Sequence, residues 1–297
     1  MYFNNKTILC LDGQFLEAQH AHAGLYDQTL HYGYGVFEGL RSYETGSGTR
    51  IFKAKEHFAR LSRSCELMNI PFSYTPEVLE DWSMQVLKKN KFKDAYIRPL
   101  VYCGPNMSLT RPSDVHMMIC AWEWGAYLGE KTLNLLISSF CRPHPRSTKV
   151  EAKASGHYVN SILASTDAKD KGYDEALLLD HEGYLAEGPG ANLFFGVGKV
   201  LYTPAPGCIL PGITRATVIE LCTRLGLKVV EGKYRPEKLM EAEYAFYCGT
   251  AAELIGIDSV DGKRLNGHWM DSPGKMLQEA YRREVHGEAV SSLKIKA

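Results

Sequence analysis

Two α+β domains built around mainly antiparallel sheets are the fold this sequence predicts. Strand and helix patterns follow one another in mixed order, without strict βα alternation. The 297 residues, 45% of them hydrophobic, suffice for two cores. Near the middle, Glu123 to Lys131 breaks the pattern with two glycines and reads as the interdomain connection. The expected division is a smaller first domain over 1–122, a connecting loop over 123–131, a larger second domain over 132–287 and a loose tail over 288–297.

The first domain opens with a hairpin, Thr7 to Leu11 and Gln14 to Leu16, turned by the type I′ pair Asp12-Gly13. A second hairpin pairs Arg41 to Tyr43 with Arg50 to Phe52. Phe58, Leu61, Cys65 and Met68 recur at helical spacing, and Thr75-Pro76 caps and starts the next helix. Strands return over Ala95 to Tyr102 and His116 to Trp122. Pro99 cannot donate to a ladder, so its strand is expected at an edge or with a bulge. In the second domain, a strand over Thr132 to Phe140 precedes a loop from Arg142 to Thr148. A helix follows Lys153 and runs to about Lys171, stopped by Gly172. Strands are expected over Glu175 to Asp180, Tyr184 to Ala186, Asn192 to Val197, Val200 to Thr203, Lys228 to Glu231 and Tyr244 to Cys248. Thr214 is expected to cap a helix ended by Gly226, Asp261-Gly262 to turn a hairpin, and Ser272-Pro273 to start the last helix.

Lys plus Arg equals Asp plus Glu at 34 each, which leaves no global field to draw nucleic acid or an anionic membrane. No apolar run reaches the length of a membrane span, and the first residues lack a signal peptide's apolar core. The eight cysteines are scattered and never form Cys-x-x-Cys, so they read as reduced residues of a cytoplasmic protein. His20 and His22 share one side of a strand pattern, but with no third ligand in view no metal site is expected.

Four stretches could carry chemistry. Val150 to Asn160 sets Lys153 among the small residues Ala152, Ala154, Ser155 and Gly156; burial there favours a neutral amine able to attack an aldehyde. Leu210-Pro-Gly-Ile-Thr214 runs straight into a helix, whose first N–H groups suit a phosphate dianion. Cys248 to Glu253 ends a strand in small residues that can bring backbone amides close to an anion. Tyr184 to Leu193 places Glu187 before a tight glycine turn, where it could hold a proton on a ring nitrogen. Each has a plainer reading: a solvated lysine, a simple threonine cap, a tight turn, an edge charge. Taken together they match the needs of pyridoxal 5'-phosphate, an electron sink only while its pyridine nitrogen is protonated.

At these residues the sequence resembles the class IV (fold type IV) pyridoxal-phosphate aminotransferases, and within them the branched-chain amino acid aminotransferases. The matching stretches, from about residue 8 to about 285, are His31 to Arg41, Glu56 to Leu61, Tyr96 to Leu100, Trp124 to Gly129, Ala152 to Ala154, Glu187 to Phe194, Leu210 to Thr214 and Gly249 to Glu253. The resemblance implies a two-domain α+β fold like that of D-amino acid aminotransferase, with the active site between the domains. It implies Lys153 as the Schiff-base lysine, Glu187 as the partner of the pyridine nitrogen and Tyr158 as the partner of the phenolic oxygen. It further assigns Arg60, Ile213, Thr214 and Thr250 to the phosphate, with Leu210 packed on the ring. On the substrate side, Tyr96 and the amides of Thr250 and Ala251 would hold the α-carboxylate, and Arg98 the side-chain carboxylate of glutamate. Phe37, Trp124, Tyr127 and Tyr158 would wall an apolar pocket, with Tyr32 supplied by a partner subunit of a homodimer or higher homo-oligomer. The implied reaction is ping-pong transamination between L-branched-chain amino acids and 2-oxoglutarate, with Lys153 as general base and acid. Trp124 to Lys131 is expected to close the site against water.

Two positions depart from the family pattern: Ala191 stands where many bacterial relatives carry an acid, and the loop Cys103 to Asp114 is short. Two readings compete within the same fold, a D-amino acid transaminase and an aminodeoxychorismate lyase. The strand Ile97 to Tyr102 lacks the Arg-x-His carboxylate trap typical of D-specific relatives. A non-catalytic binding protein is the alternative from another class, and the pairing of Lys153 with Glu187 argues against it.

Overall fold

Turn chemistry sets the first strands of the structure, a computed structural model that describes residues 2–125, 128 and 131–290. Asp12 and Gly13 both take positive φ (48° and 84°), the geometry of a type I′ turn, and join β1 (Ile8–Leu11) to β2 (Gln14–Glu17). The short helix α1 (Gln28–Tyr32) ends at Gly33 in the left-handed region and leads into β3 (Gly35–Phe37). A hairpin follows, β4 (Leu40–Thr45) with β5 (Gly48–Ile51), and then α2 (Ala54–Leu67). The hydroxyl of Thr75 accepts from Val78 N–H, and Pro76 opens α3 (Pro76–Asn90), as that pair of residues predicts. Two long strands, β6 (Ala95–Cys103) and β7 (Val115–Trp122), complete an antiparallel sheet in the order β2-β1-β7-β6-β4-β5, with β3 also on β6.

The two faces of this sheet differ. Val36, Leu40, Ile97, Val101, Met117 and Ile119 are buried with Phe58 and Leu61 of α2 and Leu79 and Val86 of α3. Fully burying each such side chain contributes roughly 1.5–3 kcal/mol. Along β6 and β7 the alternate residues, among them Tyr96, Arg98, Cys120 and Trp122, lie on the opposite face. Pro99 is not at an edge as expected. It lies inside the sheet, opposite Ile119, where the neighbouring strand on the other side is interrupted at Glu38-Gly39 between β3 and β4. The interruption removes the partner that a proline could not serve, and the Pro99 carbonyl accepts from Glu38 N–H at 2.9 Å.

Residue contacts group the chain into two units, Met1–Gly125 with Ala152–His157, and Ala126–Glu151 with Tyr158–Ala297. The second contains β8 (Leu133–Cys141), α4 (Tyr158–Asp170), β9 (Glu175–Leu179), β10 (Leu185–Glu187), β11 (Asn192–Val197) and β12 (Val200–Pro204). After these come α5 (Ile213–Arg224), β13 (Lys228–Gly232), α6 (Pro236–Met240), β14 (Tyr244–Gly249), β15 (Glu253–Val260), β16 (Lys263–Arg264) and α7 (Pro273–Val285). The sheet order is β10-β9-β8-β15-β14-β11-β12-β13. β10 also pairs with β11, which closes a ring β10-β9-β8-β15-β14-β11 around Leu135, Leu177, Leu193, Tyr247 and Ile255. Most pairings are antiparallel, but β8–β9, β8–β15 and β12–β13 are parallel. The first parallel pair is joined through α4, the crossover that parallel neighbours require.

Two details differ from expectation. Thr214 does not cap α5; Gly212 is the cap residue, and Thr214 is buried in the first turn. A short 3-10 turn, Ser155–His157, precedes α4, so that helix begins later than predicted. No helix among the described residues is long and apolar enough to cross a membrane.

Candidate active site

Lys153, in the first unit, is placed by its own main chain. Its carbonyl accepts from Phe37 N–H at 3.0 Å, and its N–H donates to Oγ of Ser64 on α2 at 3.1 Å. Ala154 bridges Val36 of β3 and belongs to the core, so a small residue is required there. With the backbone held on both sides, the side chain extends to bring Nζ over the Phe37 ring, 5.0 Å from its centroid.

The same unit holds a charge network that joins Arg60 to two residues with no role assigned from sequence, Glu38 and His57. Glu38, at the strand interruption, is fully buried. Its Oε1 accepts from Nε of Arg60 (2.6 Å), and its Oε2 from Nη2 of Arg60 (2.9 Å) and Nδ1 of His57 (2.7 Å). Burial alone would raise the Glu38 pKa, but the Arg60 guanidinium and the hydrogen bonds from His57 and Arg60 outweigh it and hold the carboxyl well below the usual range. Burial holds the His57 pKa below its ordinary value, and the bond to Glu38 only partly opposes it. The imidazole is therefore neutral near pH 7, with its proton on Nδ1, the nitrogen facing the carboxylate. A buried bidentate pair of this kind fixes the plane of the Arg60 guanidinium.

On the opposite sheet face Arg98 is boxed by aromatic rings. Its Cζ lies 4.6 Å from the ring centroid of Phe37, 5.5 Å from Tyr96 and 5.7 Å from Trp122. Trp124 stands edge-on to Tyr96 with centroids 4.9 Å apart. Its main chain is pinned by Arg41, which donates to the carbonyls of Trp124 (3.1 Å) and Gly125 (2.9 Å). A side chain at position 39 would meet the Tyr96 hydroxyl at 1.8 Å, so Gly39 is what lets that tyrosine in. The result is an apolar wall with one guanidinium in it.

In the second unit, Glu187 ends β10 and is buried. Oε1 accepts from Leu210 N–H (3.1 Å), and Oε2 from Nδ2 of Asn192 (2.9 Å). Nε of buried Arg142 lies 2.9 Å from Oε1 but out of line for a hydrogen bond, so that pair is a charge contact. Asn192 also donates to the Leu210 carbonyl (3.0 Å), which clamps the loop leading to α5. Side chains at 212 and 249 would meet Asn192 Oδ1 at 1.9 Å and the Gly190 carbonyl at 3.1 Å, so glycines let the three loops close up. Ala216 N–H bonds the Gly212 carbonyl in the first turn of α5, and Ile213 and Thr214 stand at the positive end of that helix. Thr250 and Ala251 follow β14 directly, and a side chain at 249 would also meet Ala191 of the glycine turn at 3.5 Å. A buried carboxylate and the start of a helix thus belong to one unit.

The first unit therefore gathers Lys153, Arg60, Phe37, Tyr96, Arg98 and Trp124, and the second gathers Glu187, Leu210, Ile213, Thr214, Thr250 and Ala251. Tyr158 opens α4, half-buried. Tyr32 stands at the surface of its own chain, 46% exposed, with its hydroxyl donating to the Met107 carbonyl. Tyr127 lies outside the described residues, as do positions 126, 129 and 130 of the segment expected to close over the site. Sequence reasoning missed Glu38, His57, Ser64, Arg41, Asn192 and Arg142. Glu38, His57, Arg41 and Asn192 stood inside motifs already singled out; Arg142 opened a proline-containing loop to which no role was assigned.

Known proteins of one family match this chain in both sequence and structure. Residues 35–260 match the family model described as amino-transferase class IV. The chain is 39% identical over 287 residues to a branched-chain-amino-acid aminotransferase of Pseudomonas aeruginosa, covering 95% of this chain and 94% of that one. A branched-chain aminotransferase from Thermoproteus uzoniensis, solved with norvaline, superposes with a TM-score of 0.91 at 36% identity over 97% of both chains. The branched-chain amino acid aminotransferase of Thermobaculum terrenum, solved in its PLP-bound holo-form, gives 0.89 at 32% identity over 96% of this chain and 95% of that one.

Proposed function

Because the chain belongs to the class IV aminotransferase family, we propose that it transfers amino groups from L-leucine, L-isoleucine and L-valine to 2-oxoglutarate, with pyridoxal phosphate as carrier. The products are branched 2-oxo acids and L-glutamate. The observation that carries the reading is the Arg98 box: apolar walls from Phe37, Tyr96 and Trp124 suit a branched aliphatic side chain, and the guanidinium suits the second carboxylate of glutamate. Burial of the former is worth roughly 1.5–3 kcal/mol; the latter gains a charge-assisted hydrogen bond.

The residues present fit the cofactor. A lysine with its main chain fixed, a buried carboxylate and a helix start lined by glycines are the amine, the ring-nitrogen partner and the phosphate cradle it needs. Lys153 would bind it covalently, Glu187 hold the ring nitrogen, and Tyr158 the phenolic oxygen. Arg60, Ile213, Thr214 and Thr250 would bind the phosphate, and Leu210 would pack on the ring. When bound, pyridoxal phosphate supplies a carbonyl that takes the amino group and an electron-withdrawing ring that acidifies the substrate's Cα–H. Lys153 would take the proton from Cα of the amino-acid donor as general base and, in the reverse half-reaction, deliver one to Cα of the acceptor as general acid. Tyr96 and the amides of Thr250 and Ala251 hold the α-carboxylate, which fixes which hydrogen faces the lysine.

The reading includes self-association. Leu25, Tyr26, Leu30, Met107 and Leu109 are exposed apolar residues on and around α1 and the 103–114 loop, Leu109 at 86%. A patch of that kind seeks cover, and a second copy would bring Tyr32 to the neighbouring pocket. The eight unpaired cysteines suit the cytoplasm.

The test is colour. Purified protein loaded with pyridoxal phosphate absorbs visible light; L-isoleucine or L-leucine bleaches it and 2-oxoglutarate restores it. Bleaching by D-alanine but not L-isoleucine would replace the reading with a D-amino acid transaminase. Protein that stays colourless with the cofactor would be a binding module.

A further inference from the structure

Arg142 is a buried cation with no part in the chemistry described so far. It leaves β8 next to β9, its N–H bonded to the Leu179 carbonyl at 2.8 Å, and its side chain turns inward against Glu187. Both side chains are shielded from solvent, 7% and 6% exposed. The Glu187 carboxylate already accepts from Leu210 and Asn192, so its geometry is secured without the arginine. The guanidinium is also poorly aligned: Nε lies 2.9 Å from Oε1 yet makes no hydrogen bond to it. What Arg142 adds is charge, not aim. Of the other titratable groups beside Glu187, Tyr247 and Cys248 are both held neutral by burial.

That charge bears on where a proton rests. A proton shared between a carboxylate and a pyridine nitrogen sits on the nitrogen only if the carboxylate is stable as an anion. In a buried site a bare carboxylate would rather take the proton itself. A cation in contact with the carboxylate stabilises the anion more than it repels a protonated nitrogen on the carboxylate's far side, because Coulomb energy falls with distance. Resting on the proposed role of Glu187 as ring-nitrogen partner, we propose that Arg142 is a positioning residue that keeps the shared proton on the cofactor's ring nitrogen. It would act entirely through Glu187, without touching cofactor or substrate.

The experiment uses holoenzyme loaded with pyridoxal phosphate labelled with nitrogen-15 in the ring. Wild type gives a resonance at the upfield position of a protonated pyridine. Arg142→Gln shifts it downfield, towards unprotonated pyridine, and Arg142→Lys, which restores a cation, returns it upfield. An unchanged resonance in folded Arg142→Gln would overturn the proposal. A downfield resonance in Arg142→Lys would do the same, and that variant carries the test alone if the glutamine variant does not fold. An unprotonated ring in wild type would overturn both this proposal and the role of Glu187. Failure of the wild type to bind the cofactor would instead remove the proposed function on which the inference rests.

Discussion

Glu38 is closed to solvent and accepts hydrogen bonds from Gly39, His57 and both sides of the Arg60 fork. Removing its charge would leave a part-buried guanidinium facing an amide that can satisfy only part of it. Breaking such a pair costs about 3–5 kcal/mol, so Glu38→Gln is expected to lower stability in urea by about that amount at pH 7. The pH dependence follows from the shifts. The Glu38 carboxyl is depressed in the fold, so its contribution is complete above its ordinary pKa of 4.5 and drains as pH falls below it. His57 is depressed too. The unfolded chain takes up that proton first, and its contribution drains as pH falls below 6.5. Wild type should therefore lose stability in two stages on acidification, and the gap to Glu38→Gln should close in the lower one. A gap that stays constant to pH 3 would contradict the ionised pair. Loss of the fork also frees Arg60 from its fixed plane, so the variant should lose affinity for pyridoxal phosphate more than for unphosphorylated pyridoxal.

At the scale of elements, α1 and the loop after β6 act as one body. Gln28 is buried; its Nε2 donates to the carbonyls of Ser108 and Thr110, both at 3.1 Å, and its N–H bonds the Gly104 carbonyl at 2.9 Å. Asp27 bridges Pro105. A loop clamped this way presents Leu109 at a defined place, in contrast to a flexible tip. If a second copy covers it, wild type sediments at twice the chain mass or a multiple, and Leu109→Asp shifts it towards single chains. Single chains in wild type, or no shift in the variant, would contradict that arrangement. The turns and caps among these elements were legible in the sequence because they are local: Asp12-Gly13, Thr75-Pro76, Asp261-Gly262 and Ser272-Pro273 each carry their own geometry. Pro99 was misplaced because its tolerance depends on a break in a different strand. Thr214 was misplaced because the glycine before it, needed to clear Asn192, takes the cap position.

For the whole molecule, the residues proposed for the chemistry were easier to single out than the residues packed against them. Lys153 and Glu187 stand among small residues and glycines, a pattern visible along the chain. Glu38 became visible only once α2 had brought His57 and Arg60 to it, and Arg142 only once the chain had brought it to Glu187, since nothing local marks a charge that will be buried. The resemblance found the family, which the class IV model and 39% identity over 287 residues bear out; it did not find what holds its residues in place. The account rests on one amine in the first unit. Pyridoxal-phosphate-loaded protein should be reduced with borohydride, digested, and its peptides weighed. The account predicts a phosphopyridoxyl mass on the peptide containing Lys153 and nowhere else. A tag on another lysine, or no tag at all, would contradict it.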